Sequence, residues 1–242
     1  MARPHNNHYT TSAYNPKIRI LFKDLVFNHF MRYKLICFDM DGVIFKDVNF
    51  WLELHKRFGT LEQGIKLTEK YLHSDYARLV EEVVVKLWKG RNAKPYFNLV
   101  NSIEYLAGVR EVFAYVKRKG LISAIISASS IDVARRVQRD FQVEHIFANE
   151  LIIINGKVSG EFVWPIGAGK EKKSEIIRDL CKDLGISPSE AIYVGDSDTD
   201  IEAFREVGLS IAFNSKSEEL KKAASYVVDS DNLEDILKHL PK

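Results

Sequence analysis

The sequence predicts an α/β protein: a parallel sheet with helices on both faces, interrupted by an inserted block of helices. Three observations lead there. After Gly108, strand-length apolar runs alternate with helix-length amphipathic stretches as far as the C-terminus, the pattern of parallel strands joined by crossover helices. The runs Leu-Ile-Cys-Phe at 35–38 and Ala-Ile-Tyr-Val at 191–194 are continuously apolar, as strands buried on both faces must be. Between 47 and 107 no run reads as a strand, while apolar residues recur at helical spacing.

In chain order, residues 33–38 form the first buried strand and stop at Asp39. Helical patterns follow over 50–58, 65–72 and 76–88, punctuated by Gly59, Gly64, Gly90 and Pro95. A helix is expected over 109–118, stopped by Gly120, then a strand over 121–126. A helix over 131–141 leads to a short strand near Ile146 and Phe147. Asn155-Gly156, between apolar residues 151–154 and Lys157-Val158, marks a hairpin, because Asn-Gly suits a type I′ turn. There follow a helix over 172–184, a strand over 191–194, a helix near 201–207, a strand over 209–213, a helix near 217–224, a strand over 226–228 and a last helix over 233–240.

The domain reading is a core of residues 31–46 and 108–242, a helical unit of residues 47–107 and an N-terminal arm of residues 1–30. Residues 1–16 are polar and lack the apolar stretch of a secretory signal. They read as a disordered arm or as sequence upstream of a start at Met31. Ile18, Leu21, Phe22, Leu25, Val26 and Phe30 recur at helical spacing and argue that part of the arm packs on the body.

A length of 242 residues suits one main domain plus a smaller unit. With 35 Lys and Arg against 33 Asp and Glu, the formal net charge is +2. That gives no electrostatic case for a nucleic-acid or membrane partner. No run approaches the roughly 20 apolar residues that span a bilayer. Cys37 and Cys181 lie far apart in apolar or helical surroundings and read as two reduced, buried thiols of a cytoplasmic protein. Monomer and homodimer are both open.

Ligands of α/β sheets bind beyond the carboxyl ends of the strands. Three such ends carry polar residues: Asp39-Met-Asp41-Gly42-Val43, Ser127-Ala128-Ser129, and Gly195-Asp196-Ser-Asp198-Thr-Asp200. Alone, each has a plain reading as a turn, an N-cap or a solvated acidic loop. Brought together, up to five carboxylates would need a cation, and hard oxygen donors favour Mg²⁺.

In this order the segments resemble the four motifs of the haloacid dehalogenase superfamily. Asp39-Met-Asp-Gly-Val43 resembles the first, Ser127 after an apolar run the second, Lys173 at the start of a helix the third, and Gly195-Asp-Ser-Asp-Thr-Asp200 the fourth. The part from about Gly120 onward is similar to the phosphoserine phosphatase branch, through Ala148-Asn-Glu150, the Asn155-Gly-Lys157 hairpin and Ile211-Ala-Phe-Asn214. The resemblance implies a Rossmann-like core with an inserted helical cap of the C1 type. It also implies a Mg²⁺-dependent phosphomonoesterase acting on a small phosphorylated metabolite through an aspartyl phosphate.

On that resemblance Asp39 is the nucleophile and Asp41 the general acid and base. Ser127, Ala128, Lys173 and Gly42 bind phosphate. Asp39, the Asp41 carbonyl and Asp196 hold the metal, with Asp200 in support. Lys170 and Lys172 are rivals to Lys173. The branch carries a substrate-binding Glu nine positions after the nucleophile, where this chain has Val48 beside Asp47. A sugar phosphate or nucleotide phosphatase, and a non-catalytic phosphate-binding module, are the alternatives. Phe50, Trp51, Trp88, Tyr96 and Phe97 read as the core of the helical block. Arg57, Lys86 and Arg91 read as solvated surface, and Trp164 and the histidines as packing or surface.

Overall fold

Seven strands form one sheet in the order β4-β3-β2-β1-β5-β6-β7. They are β1 Leu35–Phe38, β2 Ile122–Ser130, β3 His145–Ile154, β4 Lys157–Val163, β5 Ala191–Gly195, β6 Leu209–Phe213 and β7 Tyr226–Val228. All neighbours are parallel except β3 and β4. The computed structural model describes residues 32–46 and 49–241. The expected arm, Asp47 and Val48 lie outside them.

β1 is buried throughout, because it is flanked by strands on both edges and by helices on both faces. Phe38 pairs with Ile125 of β2 and with Val194 of β5. That register brings the three polar strand ends to one level.

Two strands are longer than expected. The short strand near Ile146 and the first arm of the hairpin are one element, β3. Its first half pairs with β2 in parallel, and its second half pairs with β4 antiparallel. Asn149 breaks the apolar pattern midway, yet it is buried inside the strand. Its amide donates to the Ala128 and Gly167 carbonyls and accepts from the Ile166 and Gly167 N–H groups, so a polar residue is tolerated there. β2 likewise runs on through the serines to Ser130, with a register shift after Ser127. The hairpin turns as expected, with Asn155 at φ 51° and Gly156 at φ 71°.

The helices are α1 Phe50–Phe58, α2 Leu61–Tyr71, α3 Tyr76–Val80, α4 Lys94–Ser102, α5 Val109–Lys119, α6 Ile131–Phe141, α7 Lys170–Asp183, α8 Ile201–Glu206 and α9 Glu218–Ala223. α3 runs on as a π-helical segment, Glu81–Trp88. α4 has no counterpart in the sequence reading, which took Pro95 as a break. The proline sits in the first turn, where its missing N–H costs nothing. The expected last helix is a 3₁₀ segment, Leu233–His239. Its buried Leu233 and Ile236 are three apart, the spacing that 3₁₀ geometry places on one side.

The helices between β1 and β2 pack around Phe50, Trp88 and Tyr96, all at most 2% exposed. Phe97 departs from the expected core and is 41% exposed. Cys37 and Cys181 are free and buried. His55 is buried beside Trp88, with its Nδ1 2.8 Å from Thr60 Oγ1. Gly64 lies against the ring, where a Cβ would come within 2.6 Å of it.

Burial pushes the His55 pKa down to about 4. The unfolded chain takes up this proton below about pH 6.5, whereas the folded chain resists until about pH 4. The stability that neutral His55 allows is therefore present above pH 6.5 and lost as pH falls toward 4. The gap in unfolding free energy between wild type and His55→Gln is expected to narrow by about 2 kcal/mol over that window. Denaturant titrations at several pH values check this, and a constant gap would assign the acid sensitivity elsewhere.

Candidate active site

Asp39 leaves the end of β1 buried, 6% exposed, with its N–H on the Val194 carbonyl of β5 at 2.9 Å. The chain then doubles back, and the Met40 carbonyl accepts from Ile44 and Phe45. This turn needs Gly42 at φ 81°, and a Cβ there would strike the Asp196 carboxylate. The first and fourth motifs thus touch through the one residue type that permits it.

Lys173 is 0% exposed and stands in the first turn of α7. Its ammonium lies 2.8 Å from Asp39 Oδ2 and 2.7 Å from Asp200 Oδ1. Burial alone would lower its pKa, but Asp200 and Asp39 reverse that and hold it above the ordinary lysine range. Lys170 and Lys172 are exposed, and Lys172 pairs with Glu175.

Asp200 is fully engaged by protein. Oδ1 accepts from Lys173 and, at 3.0 Å, from Tyr193 Oη. Oδ2 accepts from the backbone N–H groups of Asp196 and Ser197. It therefore ties α7, β5 and the loop after β5 together. Tyr193 was missed as a site residue. Its one signal is a phenol in an otherwise aliphatic strand.

Asp39, Asp196 and Asp200 each offer a carboxylate oxygen, all within 4.8 Å of one another. Asp41 follows two residues after Asp39. Four carboxylates thus face one buried ammonium. Such an excess of negative charge fits a hard divalent cation with oxygen ligands, and the donor set matches Mg²⁺. Asp39, Asp196 and the Asp41 carbonyl are the groups suited to holding it, with Asp200 beside them tying down Lys173 and the Asp196 backbone.

The two first-motif carboxylates differ. Burial raises the Asp39 pKa, and Lys173 opposes the rise. Burial and the Asp39 charge raise Asp41 to about 8. Burial pushes both toward the protonated form, and the ammonium bonded to Asp39 favours charge on that one.

Ser127, 2% exposed, lies within β2 two residues past Ile125, the partner of Phe38 at the end of β1, and its Oγ accepts from the Ser129 N–H. The Ala128 carbonyl accepts from Asn149 and from Trp51 Nε1 of α1. Ser129 is buried beside the Asp41 carboxylate, and its hydroxyl opposes the rise of the Asp41 pKa.

The profile of a family described as haloacid dehalogenase-like hydrolase matches residues 33–208. A phosphoserine phosphatase of Archaeoglobus fulgidus is 30% identical over 202 residues, which are 83% of this chain and 58% of that longer protein. A phosphoserine phosphatase of Methanocaldococcus jannaschii is 26% identical over 209 residues, covering 86% of this chain and 97% of that one. A solved structure of a phospho-aspartyl intermediate analogue of phosphoserine phosphatase superposes with a TM-score of 0.73 at 25% identity, over 86% of this chain and 99% of that one.

Replacing Lys173 by Met leaves two buried carboxylates without their cation. The expected loss of stability in the absence of divalent ions is about 3–5 kcal/mol. Urea unfolding in EDTA measures it, and a loss under about 1 kcal/mol would mean that the ion pairs carry little of the fold.

Proposed function

The chain belongs to the haloacid dehalogenase-like hydrolases, and we propose that it is a Mg²⁺-dependent phosphomonoesterase working through a phosphorylated Asp39. The observation that carries this reading is the clamp of Lys173 on Asp39. It fixes a carboxylate at the end of a buried strand, next to a second acid whose pKa burial and the Asp39 charge push up to about 8. A non-catalytic phosphate-binding module would need neither an attacking oxygen nor a proton carrier beside it.

In the first step an Asp39 oxygen attacks phosphorus, and the bond from phosphorus to the leaving oxygen breaks. Asp41, protonated up to about pH 8, delivers its proton to that oxygen. In the second step Asp41, now a carboxylate, takes a proton from water as the water attacks phosphorus. The acyl phosphate breaks, and inorganic phosphate leaves with Asp39 restored. Lys173 and the Ser127 hydroxyl would bind the phosphoryl oxygens, with backbone from Gly42 and Ala128 lining the same space.

Asp39, Asp196 and the Asp41 carbonyl would hold Mg²⁺, which supplies charge neutralisation when bound. Asp200 supports them by holding Lys173 and the Asp196 backbone. The helices between β1 and β2 would act as a cap that excludes water from the intermediate. The substrate is a small phosphorylated metabolite, a reading supported by the phosphoserine phosphatases among the relatives. Two buried free thiols and no described helix long and apolar enough to cross a membrane agree with a cytoplasmic setting.

Phosphate release from p-nitrophenyl phosphate is expected with Mg²⁺, lost with EDTA and restored by excess Mg²⁺. Asp39→Asn should cost at least about 10³-fold in kcat with an unchanged circular dichroism spectrum. Asp41→Asn should cost about 10²–10⁴-fold. Undiminished turnover in Asp39→Asn would refute the assignment.

A further inference from the structure

The helical insert contains a cavity of about 120 Å³, walled by Trp51, Leu72, Leu79, Val84, Trp88 and, from β4, Phe162. It adjoins the reaction centre through the first turn of α1. There the Phe50 N–H faces the Asp41 carboxylate, and Trp51 bonds the Ala128 carbonyl at 2.9 Å. The next residues of that turn line the cavity. A substrate phosphate beside Asp39 would thus have its organic part directed toward this wall.

The chemistry of the wall is unusual for a site that takes an amino acid. None of its described lining residues carries a charge, and His55 is neutral at ordinary pH. Several of its polar side chains already have partners within the protein. Trp88 Nε1 and His55 Nδ1 both meet Thr60 Oγ1, Asn49 Oδ1 caps the Leu52 N–H, and Tyr76 Oη accepts from Asn149. Several cations of the insert are engaged too. Arg57 pairs with Glu53, and Arg78 and Lys86 pair with Glu81 and Glu82. Arg91 spends its guanidinium on the Leu87 and Phe58 carbonyls. The ammonium and carboxylate of a serine would enter without partners, at a cost that apolar contact does not offset. An apolar cavity near 150 Å³ holds one benzene, so this space suits roughly one ring.

Building on the phosphomonoesterase reading, we propose that this cavity receives the leaving group of the substrate, and that the leaving group is uncharged, mainly apolar and about one aromatic ring in size. The relatives' substrate charge pattern is then absent from this enzyme's preference, while the chemistry at Asp39 is shared.

The test compares kcat/KM for benzyl phosphate and O-phospho-L-serine with the full chain and Mg²⁺. Both are alkyl phosphates, so the ratio reports recognition rather than leaving-oxygen reactivity. Benzyl phosphate is expected to lead by about 100-fold. Filling the cavity with Val84→Trp should cut that ratio at least about tenfold. If that variant does not fold, product inhibition of the wild type replaces it. Benzyl alcohol is then expected to inhibit p-nitrophenyl phosphate hydrolysis at least about tenfold more tightly than L-serine. An active enzyme that favours phosphoserine, or is indifferent, overturns the cavity assignment and leaves the Asp39 chemistry standing. No turnover of any of the three esters overturns the phosphomonoesterase reading, and this proposal with it.

Discussion

The structure depends on one buried ammonium. Lys173 has no exposure to solvent and stands between Asp39 and Asp200, within 2.8 Å of each. A lone buried charge is too costly to persist, and a buried pair survives only when its remaining bonding capacity is met. Here it is met around Asp200, whose second oxygen takes two backbone N–H groups while the first also takes the Tyr193 hydroxyl. The cost of burying Lys173 therefore fixes the end of β1, the loop after β5 and the start of α7 relative to one another. The same geometry holds the Asp39 carboxylate at the end of a strand, between the Lys173 ammonium and the Met40 N–H, and crowds further acids around it.

The two ends of the candidate site follow opposite electrostatic rules. At the sheet, charge is concentrated and asks for a cation. In the helical insert, Arg78 and Lys86 pair with Glu81 and Glu82 on the surface, and the enclosed space is mainly aromatic and aliphatic. Trp51 joins the two regions, with its ring in the cavity wall and its N–H on the Ala128 carbonyl.

Much of this was legible in the sequence because the strands near the site are short, apolar and end in acids. The register of β1 with β2 and β5 follows from burial on both faces, and the order of motifs supplies the rest. Lys173 was also legible in principle. It shares a helical face with Ile177, Leu180 and Cys181, all buried, whereas Lys170 and Lys172 point to solvent. β3 was not legible as one strand, because nothing in a single sequence says that Asn149 finds four backbone partners inside the sheet. α4 was hidden by a proline whose effect depends on its position in the turn. The cavity was hidden because Trp51 and Trp88 read as ordinary core, and only packing distinguishes a filled core from one with space left in it.

The most direct measurement is intact-protein and peptide mass spectrometry of enzyme quenched in acid during turnover of a phosphomonoester. A mass increment of one phosphoryl group confined to the peptide containing Asp39, and absent from Asp39→Asn, is the result expected if this carboxylate is the attacking group. Steady turnover with no phosphorylated enzyme, or with the phosphoryl group on another residue, would contradict it.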